Sequence, residues 1–326
     1  MCLLPKITVF PRIHLTLIGM NRAGYRRNGG IGFAISEPTA HVDGRTSSKF
    51  QIKDLRNQSF LEPEIKRLYD VLSLAHSELS LPHAVSFEIS GKMPTHCGFG
   101  STTAIRLACL EILLLLNDYE STPSLLRSLS RRGGTSGVGV RTYFDGGFVF
   151  DLGRKNCSAE LRPSSTAELD PTVPPCLLRA DLPEWAAGIV VPLLAKPLSE
   201  AEEQQFFACM QSNSQSDVER ILYHAAFGVA AATIEHDYFT FASAVTAIQD
   251  CAWKRQEIGI YGTSVLHEMA EILNLGAATV AMSSLGPGLF FLAKDPGAIV
   301  AQRLKAGAAS MAVVVRLRNA GRVVES

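Results

Sequence analysis

One stretch limits this chain more than any other. Residues 93 to 104 read Met93-Pro94-Thr95-His96-Cys97-Gly98-Phe99-Gly100-Ser101-Thr102-Thr103-Ala104, and a strongly apolar segment runs on from Ile105 to Leu116. Before it, Val85-Ser86-Phe87-Glu88-Ile89 alternates apolar and polar, the pattern of a half-buried strand. A strand, a Gly-x-Gly-Ser-Thr-Thr turn and a long apolar helix make a device for holding an anion. Glycines let the backbone come close to a ligand. The helix start offers free N–H groups and the positive end of its dipole. Ser101, Thr102 and Thr103 add hydroxyl donors and are good helix caps. The turn lacks the GxxxxGK[ST] of a Walker P-loop, and an ordinary capped loop would use the same residue types.

The rest of the chain reads as mixed blocks of strands and helices, which predicts an α+β fold. The first 50 residues carry strand patterns, including Ile7 to Phe10, Ile13 to Ile18 and Ile31 to Ile35. Apolar positions three and four apart predict a helix over 61–80. Further helices are expected at 123–131, across 200–250, at 265–275 and near 297–306. Strands are expected at 148–152, 187–192, 289–292 and 311–315. Residues 153–183 are polar with five prolines. A linker placed there divides the chain into 1–165 and 166–326.

Composition narrows the function classes. Lys plus Arg is 31 and Asp plus Glu is 31, so the formal net charge is zero. That argues against a protein built to coat nucleic acid or an anionic membrane, yet allows a local cationic pocket. Seven cysteines, none spaced CxxC, lack the signature of a zinc ribbon, a redox motif or a disulfide framework. Reduced thiols in a cytoplasmic protein are the expectation, and no run approaches the roughly 20 apolar residues a bilayer span requires.

The block from Pro94 to Ala104 resembles the second motif of the GHMP superfamily of small-molecule kinases. Arg12-Ile13-His14-Leu15-Thr16-Leu17-Ile18 with Gly29-Gly30-Ile31-Gly32 resembles the opening of the β-ribofuranosylaminobenzene 5′-phosphate synthases. Ser136-Gly137-Val138-Gly139 followed by Gly146-Gly147-Phe148 is similar to another block of that family, and Ser283-Ser284-Leu285-Gly286-Pro287 to the third GHMP glycine region. The likeness spans nearly the whole chain.

This resemblance implies a two-lobe GHMP-kinase-like fold, with an N-terminal lobe like ribosomal protein S5 domain 2 and a ferredoxin-like C-terminal lobe. It also implies transfer of ribose 5-phosphate from phosphoribosyl pyrophosphate to a small aromatic acid, 4-aminobenzoate-like or heteroaromatic. A C–C bond forms, carbon dioxide and pyrophosphate leave, Mg²⁺ assists, and the enzyme is a homodimer. Arg12, His14 and Arg26 become the candidate catalytic residues. His14 on an apolar strand also fits a core histidine, and Arg12 a surface charge. The substrate-binding candidates are His96, Gly98, Phe99, Gly100, Ser101, Thr102, Thr103, Arg22, Arg27, Gly29, Gly30, Ser136, Gly137, Ser283, Ser284 and Gly286. Arg106, one turn into the apolar helix, either reaches the turn or forms a buried-face salt bridge. No metal ligands are assigned, and Cys97 is read as packing.

Two alternatives stay open. Many GHMP kinases carry Pro-Ser-Gly-x-Asp, whose Asp helps activate the substrate hydroxyl. Here Gly139 stands at that position, and a residue without a titratable group cannot be a general base, although Asp145 or another carboxylate could replace it in space. A non-catalytic metabolite-binding protein is the other alternative. The chain also departs from the synthase pattern: Gly19 stands where the family usually has Asp, and Thr102-Thr103 replaces part of its Gly-Thr-Gln. Both differences leave the acceptor open.

Overall fold

A computed structural model of the chain describes residues 5–21, 24–131, 136–156, 174–198, 200–209 and 213–325. Most of the expected linker, and the division at 165, lie outside the described residues.

The N-terminal half is built on two sheets. β1 (Lys6–Val9), β5 (Ala40–Ser47), β6 (Gln51–Asp54), β7 (Ala84–Gly91) and the late strand β15 (Val323–Glu325) form one, in the order β15-β1-β5-β7-β6. β2 (Arg12–Ile18), β4 (Gly29–Ala34), β8 (Phe148–Asp151) and β10 (Cys176–Ala180) form the other, in the order β10-β8-β4-β2. A short ribbon pairs β3 (Arg26–Arg27) with β9 (Arg154–Lys155). Against the first sheet pack α1 (Glu62–Glu78) and α2 (Ser101–Leu115).

The local reasons are plain. α1 buries Leu68, Leu72 and Ala75, spaced four and three, and the Glu64 carboxylate accepts the Leu61 N–H at 2.9 Å. α2 is buried on nearly every side from Thr103 to Leu114, which explains its unbroken apolar run. Its one acidic residue, Glu111, accepts from Arg322 Nη2 at 2.5 Å and from the Tyr143 hydroxyl at 2.6 Å, as a buried charge must.

The C-terminal half carries one antiparallel sheet of β11 (Ala186–Pro192), β12 (Ala277–Met282), β13 (Leu289–Ala293) and β14 (Ala309–Arg316), in the order β12-β13-β11-β14. With α10 (Thr263–Asn274) and α11 (Pro296–Lys305) it makes the expected ferredoxin-like lobe. The helical region 200–250 resolves into α5 (Glu200–Cys209), α6 (Gln215–Tyr223), a π-helical segment His224–Ala230, α7 (Ala231–Glu235) and α8 (Tyr238–Gln249). Gly228 lets the π segment lie close to α8: a Cβ there would stand 2.4 Å from that of Ala244. The described residues include no helix long and apolar enough to cross a membrane.

Two helices have no counterpart in the sequence reading. α3 (Pro123–Ser130) matches the helix expected over 123–131, and α4 (Val138–Asp145) follows where the sequence pattern predicts no helix. α4 is eight residues long, begins on Val-Gly-Val, and forms because Val138, Val140, Tyr143 and Phe144 are buried together. α9 (Ala252–Gly259) is polar in composition and buries Trp253, Lys254, Glu257 and Ile258. Tertiary packing outweighs local preference in both.

The largest hydrophobic cluster crosses between the halves. Phe33 of β4 meets Phe290 of β13 edge to face at 5.0 Å, and Phe241 of α8 at 6.3 Å. Ile13, Phe148, Ile189 and Trp253 belong to the same cluster. This shared core fixes how the two glycine turns described next face each other.

Candidate active site

The sharpest feature is the turn after β7. Gly98 and Gly100 have φ of +83° and +77°, in the left-handed region that favours glycine. Gly100 is the N-cap of α2, with no side chain to cap the helix. The expected Ser/Thr cap is therefore absent. Ser101 to Thr103 form the first turn itself, whose amides have no acceptor within the helix.

A second turn, Ser283 to Gly288, docks onto the first. Ser283 Oγ donates to Gly98 O at 2.8 Å and accepts from His14 N at 3.0 Å. Ser284 N donates to His14 O at 2.9 Å, and Gly288 N to Cys97 O at 3.2 Å. Neither Gly98 nor Gly286 has room for a side chain: a Cβ on Gly98 would lie 2.0 Å from Ser283 O, and one on Gly286 2.0 Å from Gly98 N. Arg12 completes the junction, with Nη1 donating to Gly98 O at 2.9 Å and its backbone N to Phe99 O at 3.0 Å.

A cleft of about 730 Å³ opens over this junction. Its lining includes Arg12, His96, Gly98, Gly100, Ser101, Thr102, Ser284 and Gly286, all expected from the sequence except that Arg12 was read as catalytic. The cleft adds Glu64, Arg67, Arg106, Glu202 and Glu203. Arg106 Nη1 also donates to Ser130 O at 3.3 Å, so it reaches the cleft and the α3 end together. His96 Nε2 lies 3.1 Å from Glu64 Oε1. That hydrogen bond raises the pKa of His96 against the opposing effect of burial. Burial alone would raise that of Glu64, but the bonds from His96 and the Leu61 amide hold it below its usual value. The pair is therefore ionised over the intervening pH range.

The other candidates lie elsewhere. His14 is 4 % exposed, and burial, then the charges of Arg12 and Lys254, push its pKa well below the ordinary value. It is a neutral ring beneath the junction, outside the cleft lining. Phe99 is core, packed over Gly288, and Thr103 is buried in α2. Arg26 donates from Nε to Leu152 O at 2.9 Å and from Nη2 to Gly153 O at 2.6 Å. Its guanidinium pins the strand end of β8 and is not in the cleft lining. Arg27 lies beside it in the ribbon opposite Arg154, and Gly29 and Gly30 pair with Ile18 and Leu17. Ser136 Oγ accepts Val138 N at 3.2 Å, while Gly137 packs on the buried carboxylate of Asp151, whose pKa burial pushes up to about 6. Arg22 lies outside the described residues.

Two further points bear on chemistry. A Cβ on Gly139 would stand 3.2 Å from Arg12 Nε, so a guanidinium fills the place beside that residue. Asp145, at the other end of α4, is exposed and its carbonyl accepts from Arg179 Nη2 at 2.7 Å; it does not substitute. Burial pushes the Cys97 thiol up to about 12, which suits packing and not nucleophilic attack. Among the described residues no group of three His, Cys, Asp or Glu is placed to hold a metal ion. The cleft's Glu64 is already engaged by His96 and Leu61.

No family model matches the chain. A β-ribofuranosylphenol 5′-phosphate synthase of Methanothermobacter thermautotrophicus is 28% identical over 318 residues, covering 95% of each protein. The protein of the same name from Archaeoglobus fulgidus is 26% identical over 322 residues, covering 96% of this chain and 97% of its own. Among solved structures, homoserine kinase of Cytophaga hutchinsonii aligns with a TM-score of 0.71 at 17% identity, over 98% of this chain and 97% of that one. L. major mevalonate kinase in complex with R-mevalonate aligns with a TM-score of 0.69 at 14% identity, over 97% and 96%. The structural likeness speaks for the fold, which is that of the GHMP kinases.

Proposed function

We propose that this chain, a β-ribofuranosylaminobenzene 5′-phosphate synthase-like protein with the GHMP-kinase fold, is a pentosyltransferase that uses phosphoribosyl pyrophosphate and an aromatic acid. The bond from ribose C1 to the diphosphate oxygen breaks, and its electron pair leaves on the diphosphate. The ring carbon bearing the carboxylate attacks C1. The bond to the carboxylate carbon then breaks, carbon dioxide departs, and its electrons restore the ring. The relatives are named for a ribofuranosylphenol, so a hydroxy-substituted acid comes before the amino-substituted one as acceptor.

The observation that carries this reading is the pairing of Gly139 with Arg12. The place where a GHMP kinase keeps a carboxylate faces a guanidinium instead, which is the wrong sign for a base and the right one for a leaving diphosphate. Arg12, Arg106 and the first-turn amides of α2 supply positive charge to one cleft, and His96, its pKa raised by the bond to Glu64, adds to it wherever it is protonated. Charge-assisted hydrogen bonds from these groups strengthen as the leaving oxygens become more negative. The neutral, buried His14 does not supply a proton at pH 7; it holds Ser284 through its carbonyl. Mg²⁺ enters this reading as the diphosphate's own counter-ion, part of the substrate, and no step is assigned to it. The enzyme acts as a homodimer in the cytoplasm.

The test is direct. The purified protein is incubated with Mg²⁺, phosphoribosyl pyrophosphate and carboxyl-labelled hydroxy- and aminobenzoates, and in parallel with ATP and small alcohols. Equal release of labelled carbon dioxide and pyrophosphate is expected. ADP without pyrophosphate overturns the reading in favour of a kinase, and tight binding without turnover in favour of a metabolite-binding protein.

A further inference from the structure

Lys254 is 0 % exposed, and a lysine is almost never fully buried unless paired. It lies on α9, away from the cleft lining. Its ammonium has three donors, and each has an acceptor. Nζ lies 2.5 Å from Glu257 Oε2, 2.8 Å from Met282 O and 3.5 Å from Ser284 O. The far oxygen of Glu257 accepts from Trp253 Nε1 at 2.8 Å. One turn further along, the Tyr261 hydroxyl donates to Leu285 O. Gln249 Oε1 accepts Met282 N at 3.1 Å from the neighbouring helix α8.

Lys254, Tyr261 and Gln249 all end on the segment 282–285, the back of the turn that docks onto Gly98, and Glu257 and Trp253 hold Lys254 in place. A buried ion pair is seldom a net gain in stability over apolar residues of the same size. What it does give is direction. Two carbonyls two residues apart are held on one ammonium, so the Ser283 hydroxyl between them points at Gly98 O and His14 N.

We propose that Lys254, paired with Glu257, is a positioning residue that sets the separation of the two glycine turns and so the affinity of the cleft for a diphosphate. It touches no substrate. It acts through Ser283 and Gly286, whose backbones leave no room to shift past Gly98. The ligand arm of this inference rests on the diphosphate reading above; the structural arm does not.

The experiment uses the full chain with the double substitution Lys254→Met and Glu257→Gln, which removes both charges while leaving Trp253 an acceptor. Two quantities are read: amide hydrogen exchange at Ser284 and Gly286 without ligand, and the dissociation constant for pyrophosphate. Exchange is expected to accelerate by about tenfold or more, and pyrophosphate binding to weaken by about tenfold or more, with unchanged far-ultraviolet circular dichroism. Val265 lies on α10, outside the turn itself, and Val265→Ala opens a cavity in the cluster it shares with Ile272 and Ile299. It is expected to lower the melting temperature and leave pyrophosphate affinity within about twofold. Unchanged exchange at Ser284 and Gly286 in the double variant overturns the proposal, as does an equal loss of affinity in Val265→Ala. If the wild-type protein binds no pyrophosphate, the diphosphate reading falls and the exchange measurement alone judges Lys254. If the double variant fails to fold, Ser283→Ala carries the test: it leaves the ion pair intact, and an unchanged pyrophosphate affinity overturns the proposal.

Discussion

Gly139→Asp puts the carboxylate of a kinase back into this site, and the structure says what it would meet. The new Cβ stands 3.2 Å from Arg12 Nε and 3.7 Å from Thr103 Cγ2, so Arg12 gives way by a few tenths of an ångström. The carboxylate then lies about 4 Å from the guanidinium, where opposite charges interact by about 4 kcal/mol at an effective dielectric constant near 20. Part of that energy is withdrawn from any bound diphosphate. A loss of ~2–3 kcal/mol in binding, about 30- to 150-fold in dissociation constant, is expected. Folding stability moves the other way. Gly139 is the second residue of α4; replacing a helical glycine with aspartate recovers about 0.1–0.3 kcal/mol, and an acidic group in a first helical turn adds about 0.3–1 kcal/mol. Titration calorimetry with pyrophosphate and scanning calorimetry separate the two effects. Gly139→Asn has nearly the same volume and no charge, and is expected to weaken binding by less than about threefold. Affinity within twofold of wild type in Gly139→Asp would falsify the placement of the diphosphate beside Arg12. Equal damage from Asn would show that size, not charge, is at work.

Glu64→Gln replaces the charged acceptor that raises the pKa of His96 with a neutral one, so the His96 imidazole is expected to titrate at lower pH; an NMR titration that finds no downward shift refutes the pairing. The sign of its pH dependence follows. The raised His96 pKa favours the folded state fully below the histidine's unfolded value and is lost as pH rises through the folded value, while the depressed Glu64 pKa contributes above the carboxyl's unfolded value and is lost as pH falls through the folded one. Glu268→Gln breaks the bidentate pair with Arg303, both oxygens at 2.7 Å and both residues nearly buried; a loss of about 3–5 kcal/mol in denaturant unfolding is expected, and a change under 1 kcal/mol would contradict it. Cys97→Ala keeps turnover within about threefold because the buried thiol packs against its neighbours and donates only weakly, to Gln58 Oε1 at 3.6 Å, and complete inactivation would show otherwise.

The glycine turn was legible because its chemistry and its geometry coincide in one short run. Gly98 and Gly100 need positive φ, and that need is written in the residue type. The docking of Ser283 and Gly286 onto that turn was anticipated only as a motif; which atoms meet depends on a core assembled from residues hundreds of positions apart. Glu64 left no signal, since the residue it caps is Leu61 and not a serine or threonine. Lys254 was hidden for a related reason. α9 has the composition of a solvent-facing helix, and only the packing of Trp253 and Ile258 turns its charged face inward. Arg26 shows the opposite failure. A basic, glycine-rich loop suggests a phosphate site, yet its guanidinium finds two backbone carbonyls at the end of β8 before any ligand does.

The contact of Phe33 with Phe290 and Phe241 bears on how such a molecule can be re-engineered. Halves that meet across a ball joint can be exchanged between relatives like cassettes. Halves that share one aromatic cluster cannot, because each ring's neighbours were chosen on the other half. A chimera of this chain with a distant relative would have to carry the three phenylalanine positions as a matched set, wherever along the chain the crossover is placed.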